Sequence, residues 1–206
     1  MKKTSKFKLA SLSLTCFVAV GLVNSVPAAD INKMVEECAD CHNKDGNSTD
    51  ADTPSIAGMS KQYFADSIAG YKSGARPALK LKDKKKDMKD VVKELSDADV
   101  AALADYFAKQ EFKPMKQEFN AEFAKLGKKL HKKYCDKCHS EGGSSSEDDA
   151  GILAGQPIGY LKYSMDNYAS GKREMGKKMA KKFKAMQKKD GDEALEHLIH
   201  YYASQH

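Results

Sequence analysis

The chain has 206 residues, with 35 Lys+Arg against 29 Asp+Glu, five Cys and no Trp. Residues 1–28 read as an export signal, and removing its four Lys leaves 31 basic against 29 acidic side chains, a charge of +2 on 178 residues. A balance so even excludes overall basicity as a guide to partners, and the length allows two small domains.

The chain opens on a basic start of Lys2, Lys3, Lys6 and Lys8, followed by an apolar run from Leu9 to about Val23. Val26-Pro27-Ala28 then places small residues at the −3 and −1 positions of a cleavage site. This is the build of a secretory signal peptide cut after Ala28, rather than of a membrane span. Cys16 leaves with it, and Ser13-Leu14-Thr15 before it make a poor lipoprotein signal. A soluble protein exported to the periplasm is expected.

Asp30 to Cys41 is predicted as a helix with Ile31, Met34 and Val35 on one apolar side. Asn43 to Pro54 is a polar loop, Gln62 to Tyr71 a second helix, and Lys80 to Lys89 (KLKDKKKDMK) a Lys-rich loop holding one Met. Ser96, with Asp97 and Asp99 behind it, starts a closing helix over Ala98 to Gln110. Glu111 to Glu122, with Pro114, joins the halves, and the plan then repeats. A helix from Phe123 leads to Cys135, a polar loop follows His139, Tyr160 to Tyr168 is the middle helix and Ala194 to Ala203 the closing one. No strand-rich region is visible, and after residue 28 no apolar run is long enough to span a membrane. The expectation is an all-α chain: residues 29–112 a first domain, 113–121 a linker and 122–206 a second domain.

Two short stretches carry the chemistry. CADCH runs from Cys38 to His42 and CDKCH from Cys135 to His139. Cys-x-x-Cys-His is the attachment signature of a c-type haem. Two thiols three residues apart lie on one side of a helical turn, where each can add to a porphyrin vinyl group. The adjacent His then supplies the proximal nitrogen to iron. Adding 97 carries the first motif onto the second, and also Ala57-Gly58 onto Ala154-Gly155, Tyr63 onto Tyr160, Tyr71 onto Tyr168 and Ser73-Gly74 onto Ser170-Gly171. The chain is an internal duplication with one haem per half, two covalent haems in all. The four remaining Cys are thereby used, so no disulfide framework is left. A zinc site would need the CxxC pairs together, and a thioredoxin-like CxxC would need a βαβ pattern; the 97-residue separation and the absence of such a pattern argue against both.

The sixth iron position decides between electron transfer and chemistry at iron, because Met closes it and raises the potential. Met59, Met34 and Met165 have no Met at the equivalent place in the other half. Met88 is the candidate for the first haem; Met175, Met179 and Met186 remain open for the second. His131, His197, His200 and His206 read as surface or packing residues.

HKKYCDKCHSEGG, ILAGQPIGYLKYSMDNYASGKREMGKKMAKK and YYASQ, with SIAGMSKQYF and GYKSG in the first half, resemble the dihaem cytochrome subunits of flavocytochrome c–sulfide dehydrogenases. The resemblance covers essentially all of the chain after residue 28, although the Lys-rich stretch before Met88 is longer and more charged than in that family. It implies two tandem class I cytochrome c domains with His42 and Met88 on one iron, and His139 and Met175 on the other. It also implies an electron-transfer subunit rather than an enzyme. An FAD-containing flavoprotein subunit would oxidise sulfide and a small soluble cytochrome c would accept the electrons. A free-standing carrier to a terminal oxidase uses the same ligands, whereas a dihaem peroxidase or thiosulfate-oxidising cytochrome would need an open or unusually ligated iron. Nothing points to nucleic acid. The basic residues around Met88 (Lys80, Lys82, Lys84, Lys85, Lys86, Lys89) and those around Met175 and Met179 (Lys172, Arg173, Lys177, Lys178, Lys181, Lys182) are either solvated faces or docking rims for an acidic partner.

Overall fold

The computed structural model describes residues 30–206, so the export signal and Cys16 lie outside the described residues. Its helices are α1 (Ile31–His42), α2 (Lys61–Ser73), α3 (Met88–Val92), α4 (Asp97–Phe107), α5 (Ala121–Tyr134), α6 (Ile158–Ala169), α7 (Lys177–Asp190) and α8 (Glu193–Ala203), with a 3-10 turn at Glu141–Gly143. The described residues contain no strand, and the all-α expectation holds. None of the described helices is long and apolar enough to cross a membrane.

Side-chain caps explain several of the boundaries. Asp30 accepts from Asn32 N, Ser60 from Tyr63 N and Asn120 from Glu122 N, each occupying a donor that the first helical turn leaves unpaired. The expected start at Ser96 is a full capping box with Asp99. The closing helix ends earlier than expected, at Phe107 rather than Gln110.

Each half buries its own core. In the first, Val35 of α1, Phe64 and Ile68 of α2 and Leu103 and Phe107 of α4 pack together. In the second, Leu130 of α5, Leu161 of α6, Phe183 and Met186 of α7 and Leu198 and Tyr202 of α8 do so. Helices α5 and α8 cross so closely that a Cβ at Gly127 would stand 2.0 Å from the His197 carbonyl, which is why a glycine sits there. The connecting stretch 108–120 has no helix or strand and is tied to both halves. Lys113 N donates to Asn47 Oδ1 (2.8 Å) and Met115 N to the Gly155 carbonyl (2.8 Å).

Two helices stand where none was expected. Met88 opens α3, capped by a box between Asp87 and Asp90. The Lys-rich run after Met175 is the fourteen-residue α7. Seven lysines suggest a loop, but Met179, Phe183 and Met186 recur at spacings of four and three, which puts them on one helical face. That spacing was the available signal.

Candidate haem sites

In the first half, α1 delivers the motif. Val35 is buried in the core, and the last turn of the helix carries Cys38, Cys41 and His42 to the wall of a cavity of about 950 Å³, open mouth included. Met59, Tyr63 and Met88 also line it, so the expected ligands His42 and Met88 share one chamber. His42 is buried, and its Nδ1 lies 2.8 Å from the Pro54 carbonyl. The tautomer that donates this bond leaves Nε2 free for a metal. Burial pushes the His42 pKa down against the pull of the Pro54 carbonyl, and Arg76 adds to the fall, so the ring is neutral and competent to ligate.

Burial, then Glu37 and Cys41, push the Cys38 thiol up to about 11, and burial likewise raises Cys41 and Cys135. Redox-active CxxC cysteines are activated the opposite way, by lowered pKa. All four described cysteines are free. Among the described residues no cluster of three or more His, Cys, Asp or Glu forms.

In the second half, α5 places Cys135 beside the core that Met186 fills and Met175 borders. Met186 is 1% exposed, whereas Met175 and Met179 are half-buried. Burial pushes the His139 pKa down. The Gly151 carbonyl, counterpart of Pro54, opposes that fall, yet no hydrogen bond to the buried Nδ1 closes. His131, expected at the surface or in packing, is 3% exposed. Its ring stands 3.0 Å from the Tyr202 hydroxyl and 3.2 Å from Asp136, a polar pocket where the first half has Met34 and Phe107.

The halves meet over two arginines: Arg76, which sequence reasoning passed by, and Arg173, which it grouped with the basic residues around Met175. Adding 97 to Arg76 gives Arg173, and that repeat was the signal. Arg76 is 9% exposed and donates to the Ser67 hydroxyl (2.7 Å) and, across the junction, to the Tyr160 hydroxyl (2.9 Å). Arg173 donates to Ser164, the counterpart of Ser67. The guanidiniums lie over the rings of Tyr71 and Tyr168 at 4.7 and 4.4 Å. Burial raises the Tyr63 phenol, but Arg76 and Arg173 outweigh it and bring it down to about 8.

No salt bridge among the described residues reaches either guanidinium, and buried charges ordinarily have a counter-charge. A haem attached through each CxxCH brings carboxylates of its own. The unmatched guanidiniums beside the His42 chamber therefore fit that group.

The sequence model described as Cytochrome c matches residues 28–111. Cytochrome c4 of Pseudomonas aeruginosa is 30% identical over 144 residues, 66% of this chain and 68% of that protein. The thiosulfate dehydrogenase electron acceptor of Thiomonas intermedia is 29% identical over 147 residues, 66% of this chain and 64% of that protein. The crystal structure of reduced recombinant cytochrome c4 from Pseudomonas stutzeri superposes with a TM-score of 0.66, covering 87% of this chain and 100% of that one; at 23% identity this likeness bears on the fold alone. With the duplicated motif and the two-core helical fold, these matches place the chain in the cytochrome c family, as a cytochrome c4-like protein with two covalent haems c.

Proposed function

We propose that this chain is a periplasmic carrier that takes electrons from a dehydrogenase of reduced sulfur compounds and passes them to a small soluble cytochrome c. Residues 29–112 and 122–206 act as its two domains, joined by 113–121. Cys38 and Cys41 anchor the first haem and Cys135 and Cys138 the second, with His42 and Met88, and His139 and Met175, as axial ligands. When bound, each haem supplies a one-electron iron couple. The protein would hold each iron through one His and one Met.

The observation that carries this reading is the junction itself. Arg76 is buried and Arg173 half-buried between the halves, and their side-chain hydrogen bonds go to hydroxyls. Haem carboxylates reaching the junction would neutralise them. Met88 shares the chamber of His42, and Met175 borders the core that Cys135 joins, which supports the axial assignments. Met186 is committed to packing. With both irons closed there is no position for a substrate. Rapid binding of carbon monoxide or cyanide to the native protein would overturn the carrier reading.

The donor is read in two ways. The sequence resemblance of the second half favours an FAD-containing sulfide dehydrogenase subunit, in which sulfur chemistry belongs to the partner's flavin. The thiosulfate dehydrogenase electron acceptor of Thiomonas intermedia favours a thiosulfate-oxidising donor. Gentle purification from the periplasm, followed by visible spectra after adding sulfide or thiosulfate, separates them. Co-purifying flavin and rapid reduction by sulfide support the first, and reduction by thiosulfate without flavin supports the second. If neither donor reduces the haems faster than it reduces an unrelated small cytochrome, a free-standing carrier to a terminal oxidase replaces both.

A further inference from the structure

The residue that follows each Ala-Gly pair is Met59 in the first half and Gln156 in the second. Both side chains cross the junction and end on the same backbone unit of the opposite half. Gln156 is fully buried; its Oε1 accepts from Ser55 N at 3.0 Å and its Nε2 donates to the Ser55 carbonyl at 3.0 Å. The Met59 sulfur accepts from Ile152 N at 3.3 Å, and Ile152 is the counterpart of Ser55.

These backbone units are the ones that face the motif histidines. Pro54–Ser55 is a single conjugated peptide plane. Gln156 holds its N–H, and its carbonyl lies 2.8 Å from His42 Nδ1. Gly151–Ile152 repeats the arrangement, with Met59 on the N–H and the carbonyl towards His139. An acceptor on the N–H end of an amide polarises it and makes its oxygen a better acceptor in turn. An amide oxygen does this well and a thioether weakly. The geometry agrees in direction, since the His42 bond closes at 2.8 Å and no bond to His139 Nδ1 closes.

We propose that Gln156 and Met59 are positioning residues that act across the junction, each setting how firmly the opposite half's histidine is held towards iron: Gln156 for His42 and Met59 for His139. The proposal rests on the reading of these histidines as iron ligands. A more fully shared Nδ1 proton makes the imidazole a stronger base towards the metal. That favours oxidised iron, so Gln156 lowers the potential of the first haem more than Met59 lowers that of the second.

The test exchanges the two acceptors in the full-length dihaem protein, as Gln156→Met and Met59→Gln. The readouts are the midpoint potential of each haem and the solvent-exchange rate of each histidine Nδ1 proton by NMR. Gln156→Met is expected to raise the potential of the first haem and speed exchange at His42, leaving the second haem in place. Met59→Gln is expected to lower the potential of the second haem and slow exchange at His139. If a shift appears in the substituted residue's own half, if both haems move together, or if neither moves, the proposal is overturned. Should Gln156→Met fail to assemble, Met59→Gln still decides, because it adds an acceptor without stripping a buried group. Failure of the ligand reading itself looks different: the first haem of His42→Ala would keep its six-coordinate spectrum.

Discussion

The two halves are copies of one plan that differ most between the middle and closing helices. After Arg76 the first half runs through the Lys-rich loop to Met88 and a five-residue α3. After Arg173 the second half reaches Met175 within two residues and then builds the fourteen-residue α7. The total span is nearly equal, since α4 begins at Asp97 and α8 at Glu193. What stays in register is the proximal side: the motif, the Ala-Gly pair and the arginine. That side needs two thiols and a ring nitrogen at fixed helical spacing, together with a carbonyl behind the ring. With Met88 and Met175 as the proposed ligands, the opposite side would need one soft atom, which any segment that reaches it can deliver. The offset of 97 finds the motif, the Ala-Gly pair and the arginine but carries Met88 onto Ala185.

The comparison can be broken most severely at the motifs. Cys38→Ala with Cys41→Ala should reduce covalent haem from two per chain to one, read by alkaline pyridine spectra, with the second haem retained; loss of both would mean that the halves do not load independently. Next come the methionines. Met175→Ala should abolish the iron–sulfur charge-transfer absorption of the second haem and lower its potential. Met186→Ala should leave both unchanged while costing about 2–5 kcal/mol in denaturant unfolding, as for other buried Met truncations. The reverse pattern would move the ligand onto α7.

A smaller effect tests the charges. The seven lysines of α7 are exposed, and among the described residues none closes a salt bridge. In the first-half loop, Lys86 pairs with Glu37 at 3.1 Å and Lys84 donates to the Asp40 carbonyl at 2.9 Å. Reversing Lys177, Lys178 and Lys181 to Glu should slow electron transfer with an acidic partner by roughly tenfold at low salt, an effect that fades as salt rises. The same number of reversals in the loop should do less, and equal effects would remove the distinction between the halves.

The smallest effect concerns His131. Burial pushes its pKa below the ordinary 6.5 against the pull of Asp136, with Tyr201 and Tyr202 as its other neighbours. A lowered folded pKa means that the unfolded chain binds more protons. The stability from neutral His131 is therefore fully present above the unfolded value of about 6.5 and is lost as pH falls from there through the lower folded value. His131→Met, which installs the first half's residue, should flatten the melting temperature against pH just below 6.5; an unchanged slope would show that other groups set it.

Much of this was legible in the chain. Six of the eight described helices follow from apolar spacing and from caps such as Ser96, and the haem attachment follows from CxxCH alone. The helices α3 and α7 were hidden because lysines on their solvent sides mask the few apolar residues beneath. The junction was hidden for another reason. Gln156 and Arg173 are polar residues that read as surface until a second half is laid against them, and no periodicity within one half encodes that contact.

The crossed arms of Met59 and Gln156 have a further consequence. A contact in which one residue reaches its counterpart's neighbour, and is answered in kind, has the form of a two-fold dimer interface. Here the stretch 108–120 makes that dimer a single molecule, so encounter is replaced by a high effective concentration of one half beside the other. Two identical subunits must change both arms at once, because one gene writes both. A fused pair is free of that constraint, and in this chain one arm ends in sulfur and the other in an amide.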